Sequence, residues 1–160
     1  MTGADRTVGT RLLRLLLNDG TIGDLVPGPV LRLLVRNSPA AGQIKGQIYL
    51  DLIGAWTMLP TSSKLPELAE LPDIPTDAQV NALLQLHGQR IIDVQLGEPH
   101  PNLALSLSSG NVLFVNGHDQ QYECWQVGVY GGQAGELWQI IAGPEDELSI
   151  WAPGPFLQAN

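Results

Sequence analysis

Apolar positions along this chain fall into short runs of two different periods. Within "TRLLRLLLNDG" (10–20), Leu12, Leu15 and Leu16 have helical spacing, and Val80, Leu83, Leu84 and His87 repeat that spacing further on. The second segment also carries helix ends: Thr76 and Gln79 form a T-x-x-Q capping pattern, Asp77 suits the positive helix terminus, and Gly88 stops the run. Elsewhere the pattern is that of strands. "VLRLLVR", "QIYLDLI", "LALSL" and "NVLFV" are extended apolar segments, and in "ECWQVGVY" alternation puts Trp125, Val127 and Val129 on one side. "GVYGGQAGEL" is a glycine-rich hairpin loop, and "AGPED" is a turn between "ELWQII" and "ELSIW". Trp125, Trp138 and Trp151 recur every 13 residues, a spacing that suits successive antiparallel strands with their turns.

The two helical segments head two similar stretches. Ile22 answers Ile91, Asp24 answers Asp93, Leu25 answers Val94, Gly28 answers Gly97 and Trp56 answers Trp125, all 69 positions apart. The order of elements repeats as well, so the match reads either as a duplication or as the echo of two β-meanders. Residues 60–75 separate the stretches and hold Pro60, Pro66, Pro72 and Pro75, which remove amide donors and disfavour helix before them; one helical turn over Pro66–Leu71 is all that the segment allows. The expected organisation is an N-terminal helix/strand half (1–59), a proline-rich connector (60–75), and a C-terminal helix with an antiparallel meander (76–160), in one compact unit. The fold class is α+β, strand-dominated, with two helix-plus-meander halves sharing one core.

Composition supports folding and narrows the partner. Apolar residues make up 44% of the 160 and charged residues only 15%, which is a globular balance. The leucine cluster near the start is broken by Arg14, no run approaches the roughly 18 apolar residues of a membrane helix, and Cys124 is the sole cysteine, so a cytoplasmic, disulfide-free protein is expected. Charge is distributed unevenly. Residues 1–66 carry seven bases and four acids, whereas residues 67–160 carry twelve acids and a single base, Arg90. An acidic C-terminal half repels nucleic acid and attracts basic proteins.

Candidate chemistry is sparse. His87, His100 and His118 have no metal-ligand spacing, and His100 in "EPHPN" reads as a turn residue. His118, Asp119 and Cys124 offer one Cys/His nucleophilic arrangement, against the plainer reading of a polar loop followed by a small buried cysteine. Gly128, Gly131, Gly132 and Gly135 lack the lysine of a phosphate loop, and Glu145, Asp146 and Glu147 sit together on a turn rather than apart in a cleft. No catalytic, cofactor-binding or metal-ligating residue is assigned, and no cofactor is expected. Large aromatics beside carboxylates do suit an interface. Glu136, Trp138, Glu145, Asp146, Glu147 and Trp151 are the expected partner-binding residues, while Trp56 and Trp125 lie in the most apolar segments and read as core.

The pattern L-x-G-x-x-I-x-D-V, the segment "LALSLSSGNVLFV", a later "CWQV" and the closing "LSIWAPG" together resemble a group of small, strand-rich, acidic bacterial proteins of the immunity-protein type, mainly over residues 84–154. That resemblance implies a non-enzymatic protein that neutralises a cationic toxin or effector domain by occluding it. It carries over no catalytic residue. Two other classes are compatible with the residues: a self-associating structural or adaptor protein, including a homodimer in which basic and acidic halves meet, and a small Cys/His-dependent hydrolase or transferase. Nucleic acid and membrane are not expected as partners.

Overall fold

The computed structural model describes residues 2–60, 76–132 and 136–158, with only the backbone described at 76–79. The first helix, α1 (Gly3–Leu17), starts earlier than its apolar pattern, because Thr2 and Asp5 cap it reciprocally: Asp5 N donates to Thr2 Oγ1 (3.1 Å) and Thr2 N to Asp5 Oδ2 (3.2 Å). Four strands follow: β1 (Thr21–Val26), β2 (Leu31–Arg36), β3 (Gln47–Leu52) and β4 (Trp56–Leu59). The second helix, α2 (Thr76–Leu86), precedes β5 (Ile91–Leu96), β6 (Leu103–Leu107), β7 (Val112–Val115), β8 (Trp125–Tyr130), β9 (Trp138–Ala142) and β10 (Leu148–Trp151), and a short α3 (Gly154–Leu157) closes the order. The expected turn at Pro66–Leu71 and the side-chain cap at Thr76 and Gln79 lie outside the described residues.

The strands form two antiparallel sheets, ordered β1-β2-β3-β8-β9-β10 and β4-β7-β6-β5. Each half therefore gives its fourth strand to the other: β4 pairs with β7, and β8 pairs with β3. The repeat seen in sequence is present in the backbone. Asp19 (φ 63°) and Gly88 (φ 84°), 69 positions apart, end the two helices in the left-handed conformation. Thr21 bridges Arg90, its own counterpart, and the flanking hydrogen bonds come in exchanged pairs: Asp19 N to Ile91 O (2.8 Å) with Gly88 N to Ile22 O (2.7 Å), and Ile22 N to Gln89 O with Ile91 N to Gly20 O (both 2.8 Å). Such reciprocity is the signature of a local two-fold axis between the halves. Both β1 and β5 also have a register irregularity just after the matching residues Ile22 and Ile91.

Register assigns the core. In the six-stranded sheet, Leu33, Leu50, Val127 and Ile140 form one inward row and Val35, Ile48, Val129 and Trp138 the next. In the four-stranded sheet the inward rows are Val94, Leu105, Leu113 and Met58, then Leu96, Leu103, Val115 and Trp56. All of these join one hydrophobic cluster together with Leu12, Leu13, Leu16 and Leu17 of α1, so both halves contribute to a single core. Each such leucine contributes about 1.5–3 kcal/mol of burial. α1 packs across β5 and β10, and its arginines reach the β5 edge: Arg14 Nε donates to Val94 O (3.0 Å) and Arg6 donates to Leu96 O. Among the described residues, no helix is long and apolar enough to cross a membrane.

Candidate functional site

Three connections meet at one end of the molecule: residues 97–102 between β5 and β6, 116–124 between β7 and β8, and 143–147 between β9 and β10. Each is locally fixed. Asn116 clamps His118 from both sides, accepting from its N (3.0 Å) and donating to its O (2.9 Å), and Asp119 Oδ1 accepts from Gln121 N (2.8 Å) and Tyr122 N (2.9 Å). Gly143 N closes the third connection on Glu147 O (2.8 Å). The connections are also tied together: Gly117 N donates to Asn102 Oδ1 (2.8 Å), Trp125 Nε1 to Pro101 O (2.8 Å) and Glu145 N to Asp119 O (2.9 Å). At Gly117 the approach is closer than any side chain allows, since a Cβ there would lie 1.9 Å from Pro101 O.

The backbone contact of Gly117 with Pro101 brings their chain neighbours together. The rings of His100 and His118 are 4.3 Å apart between centroids. Asp146 is held between them: His100 Nδ1 is 2.9 Å from each carboxylate oxygen, and His118 Nδ1 is 2.6 Å from Oδ1. Glu145 and Asp146 both have left-handed backbone (φ 59° and 61°), a conformation uncommon for residues with side chains, and this conformation places Asp146 in the cluster. An ionised carboxylate only accepts hydrogen bonds, so each imidazole presents Nδ1–H to it. Burial works to raise the Asp146 carboxyl, but the hydrogen bonds from His118 and His100 and their charges prevail and hold it below the ordinary carboxylate range. The three side chains remain roughly a quarter to a third exposed, so solvent reaches them.

Asp146 lies on the turn that "AGPED" marks, but its side chain is taken up by His100 and His118 rather than standing with the carboxylates of Glu145 and Glu147. The clustering of His100 with His118 and Asp146 is invisible to local spacing, since the three lie 18 and 28 positions apart. Cys124 sits under the same loop but is 1% exposed, and burial, followed by the charges of Asp119 and Asp146, pushes its thiol up to about 11. A thiol so placed stays protonated near neutrality, and its sulfur faces Tyr122 O (4.0 Å) rather than an imidazole.

The expected partner-binding residues divide. Trp138 belongs inside: it is 3% exposed and packs edge-on against Phe156 with centroids 4.8 Å apart, so it has no face left for a partner. The reason is register, which pairs Trp138 with inward Val129 but pairs Trp151 with Gln139 on the outer face. Trp151 is 54% exposed. Trp125 is buried, as its apolar segment implied, and Trp56 is partly buried against the core. Glu145 and Glu147 are exposed beside the histidine cluster, with Asp119 and Glu123 on the neighbouring loop. Glu136 is exposed at the other end of β9, about 16 Å of strand away, beyond the Debye length of about 8 Å at physiological salt. It does not share the field of the turn acids.

Among the described residues, Asp119, Glu123, Glu145 and Glu147 make no ion pair with Lys or Arg. The arginines of the N-terminal half are engaged elsewhere: Arg6 with Glu98, Arg14 with Asp93, Arg32 with Asp51 and Arg36 with Asp24. A surface groove of about 500 Å³ along α1 is lined by Arg6, Thr7, Thr10, Arg11 and Arg14; Arg6 and Arg14 are ion-paired, while Arg11 donates to the backbone carbonyls of Phe156 and Gln158 and keeps its charge. Comparison with protein-family models, curated proteins and solved structures found no match.

Proposed function

We propose that the protein is a non-enzymatic binder of one basic protein partner, acting in the manner of an immunity protein that caps a bacterial toxin or effector domain in the cytoplasm. The observation that carries this reading is the gathering of Asp119, Glu123, Glu145 and Glu147 on two tied connections at one end, without arginine or lysine partners among the described residues. Carboxylates left unpaired by their own chain steer a cationic surface and match it on docking. Occlusion requires no reacting group, and the buried, protonated Cys124 fits that picture better than it fits a hydrolase. Self-association through opposite charges is less favoured, because four of the N-terminal arginines, Arg6, Arg14, Arg32 and Arg36, are already ion-paired within the chain.

The test uses Glu123→Gln, Glu145→Gln and Glu147→Gln combined, sparing Asp119, whose carboxylate holds its own loop. The probe is a basic C-terminal toxin or effector domain, taken from a secreted protein whose gene adjoins the gene for this chain. Association measured by stopped flow slows about tenfold or more in the variant at low salt, and its salt dependence flattens. Equal rates for variant and parent, or no complex with such a domain, overturn the reading.

A further inference from the structure

We propose that His100 Nδ1, His118 Nδ1 and an oxygen of Asp146 form the site of one divalent transition-metal ion of the zinc class. The proposal is independent of the partner reading and rests on geometry.

The donor atoms of the three residues lie within 4.8 Å of one another, on connections that reach the site from both sheets. Nitrogen and oxygen ligands at about 2.0–2.2 Å from a tetrahedral ion stand about 3.3 Å apart. The present Nδ1–oxygen separations, 2.6 Å and 2.9 Å, need to open by about 0.7 Å and about 0.4 Å to meet that requirement. Two imidazoles and one carboxylate suit zinc and its neighbours, whereas calcium and magnesium favour sets of oxygens.

The alternative use of these groups is a hydrogen-bonded cluster and nothing more. Two features favour the metal. A single oxygen, Asp146 Oδ1, takes both imidazoles, at 2.9 Å and 2.6 Å, so three donor atoms already converge. The loops that carry the donors are also braced, since Asn116 fixes the His118 backbone from both sides, and Trp125 Nε1 and Asn102 tie the His100 loop to its neighbours. Asp119, next to His118 in the chain, turns Oδ1 to the amides of Gln121 and Tyr122, and the set of converging donors is His100, His118 and Asp146. Binding needs each Nδ1 free of its proton: a neutral imidazole moves that proton to the outer Nε2, and an imidazolium releases one proton to solvent. Three protein ligands leave a fourth position for water or for a group brought by a docked molecule.

The experiment is equilibrium dialysis of tag-free, full-length protein against zinc chloride, with bound metal measured by mass spectrometry. About one ion per chain is expected. His118→Ala, His100→Ala and Asp146→Asn each weaken binding by about tenfold or more, while Glu136→Gln, at the other end of β9, leaves it unchanged. Asn tolerates the left-handed backbone at position 146, so Asp146→Asn keeps the turn and serves where a histidine variant fails to fold. Circular dichroism verifies folding. Nitrogen-15 shifts of the imidazoles give an independent readout, with Nδ1 of both histidines moving on metal addition. No bound zinc at micromolar concentrations, or binding that survives Asp146→Asn and both histidine variants, overturns the proposal.

Discussion

Gly117 has no side chain, and that absence sets the geometry of the candidate site. Its Cα lies so near Pro101 that a methyl group would overlap the carbonyl at 1.9 Å, and backbone atoms cannot swing aside as a flexible side-chain tip does. Gly117→Ala is therefore expected to push the 97–102 and 116–124 connections apart and to cost about 1–3 kcal/mol, read as a lower urea midpoint. A midpoint equal to that of the parent contradicts the close approach. The sequence marked this region only as a polar loop, and it placed His100 in a turn, which is where the residue lies. The meeting of His100, His118 and Asp146 was out of reach of local patterns, because it follows from strand registers and from a glycine whose contact is 16 positions away. Trp138 shows the same gap: the 13-residue repeat located three strands correctly, but which face a tryptophan occupies depends on the register of pairing.

Helix ends and strands were read more directly. Gly88 ends α2 as its left-handed φ requires, whereas at the matching position Asp19 does the same work without advertising it. The start of α1 was missed by apolar periodicity because its first turns are largely exposed, and the T-x-x-D pattern of Thr2 and Asp5 was the available signal. That cap is pH-sensitive. Side-chain and backbone hydrogen bonds with Thr2 hold Asp5 below its ordinary value of 3.8, so its contribution is present above that value and fades as pH falls through the lowered value. Removing the carboxylate with Asp5→Ala is expected to lower the melting temperature at pH 6 and to narrow the gap from the parent as pH drops below about 4. A gap that stays constant over that range rules out the cap as its source.

Taken together, the halves cannot be separate folding units, since the six-stranded sheet takes β8, β9 and β10 from the C-terminal half, the four-stranded sheet takes β4 from the N-terminal half, and the buried residues form one cluster. The repeat was visible as five matched positions 69 apart, but the exchange of β4 and β8 was not, because sequence similarity orders elements without saying which sheet receives them. Unfolding is expected to be a single transition, with tryptophan fluorescence and far-ultraviolet circular dichroism giving coincident urea curves. Two resolved transitions would separate the halves and contradict the shared core.

The exchanged strands have one more effect, which concerns damage rather than folding. A backbone cut anywhere between residues 60 and 75 leaves β4 clasped by β7 and β8 clasped by β3, each piece interlocked with the other through complete strand ladders. The severed molecule would migrate as one particle until denaturant released its two pieces, much as two hooked hands stay joined after the rope between them is gone.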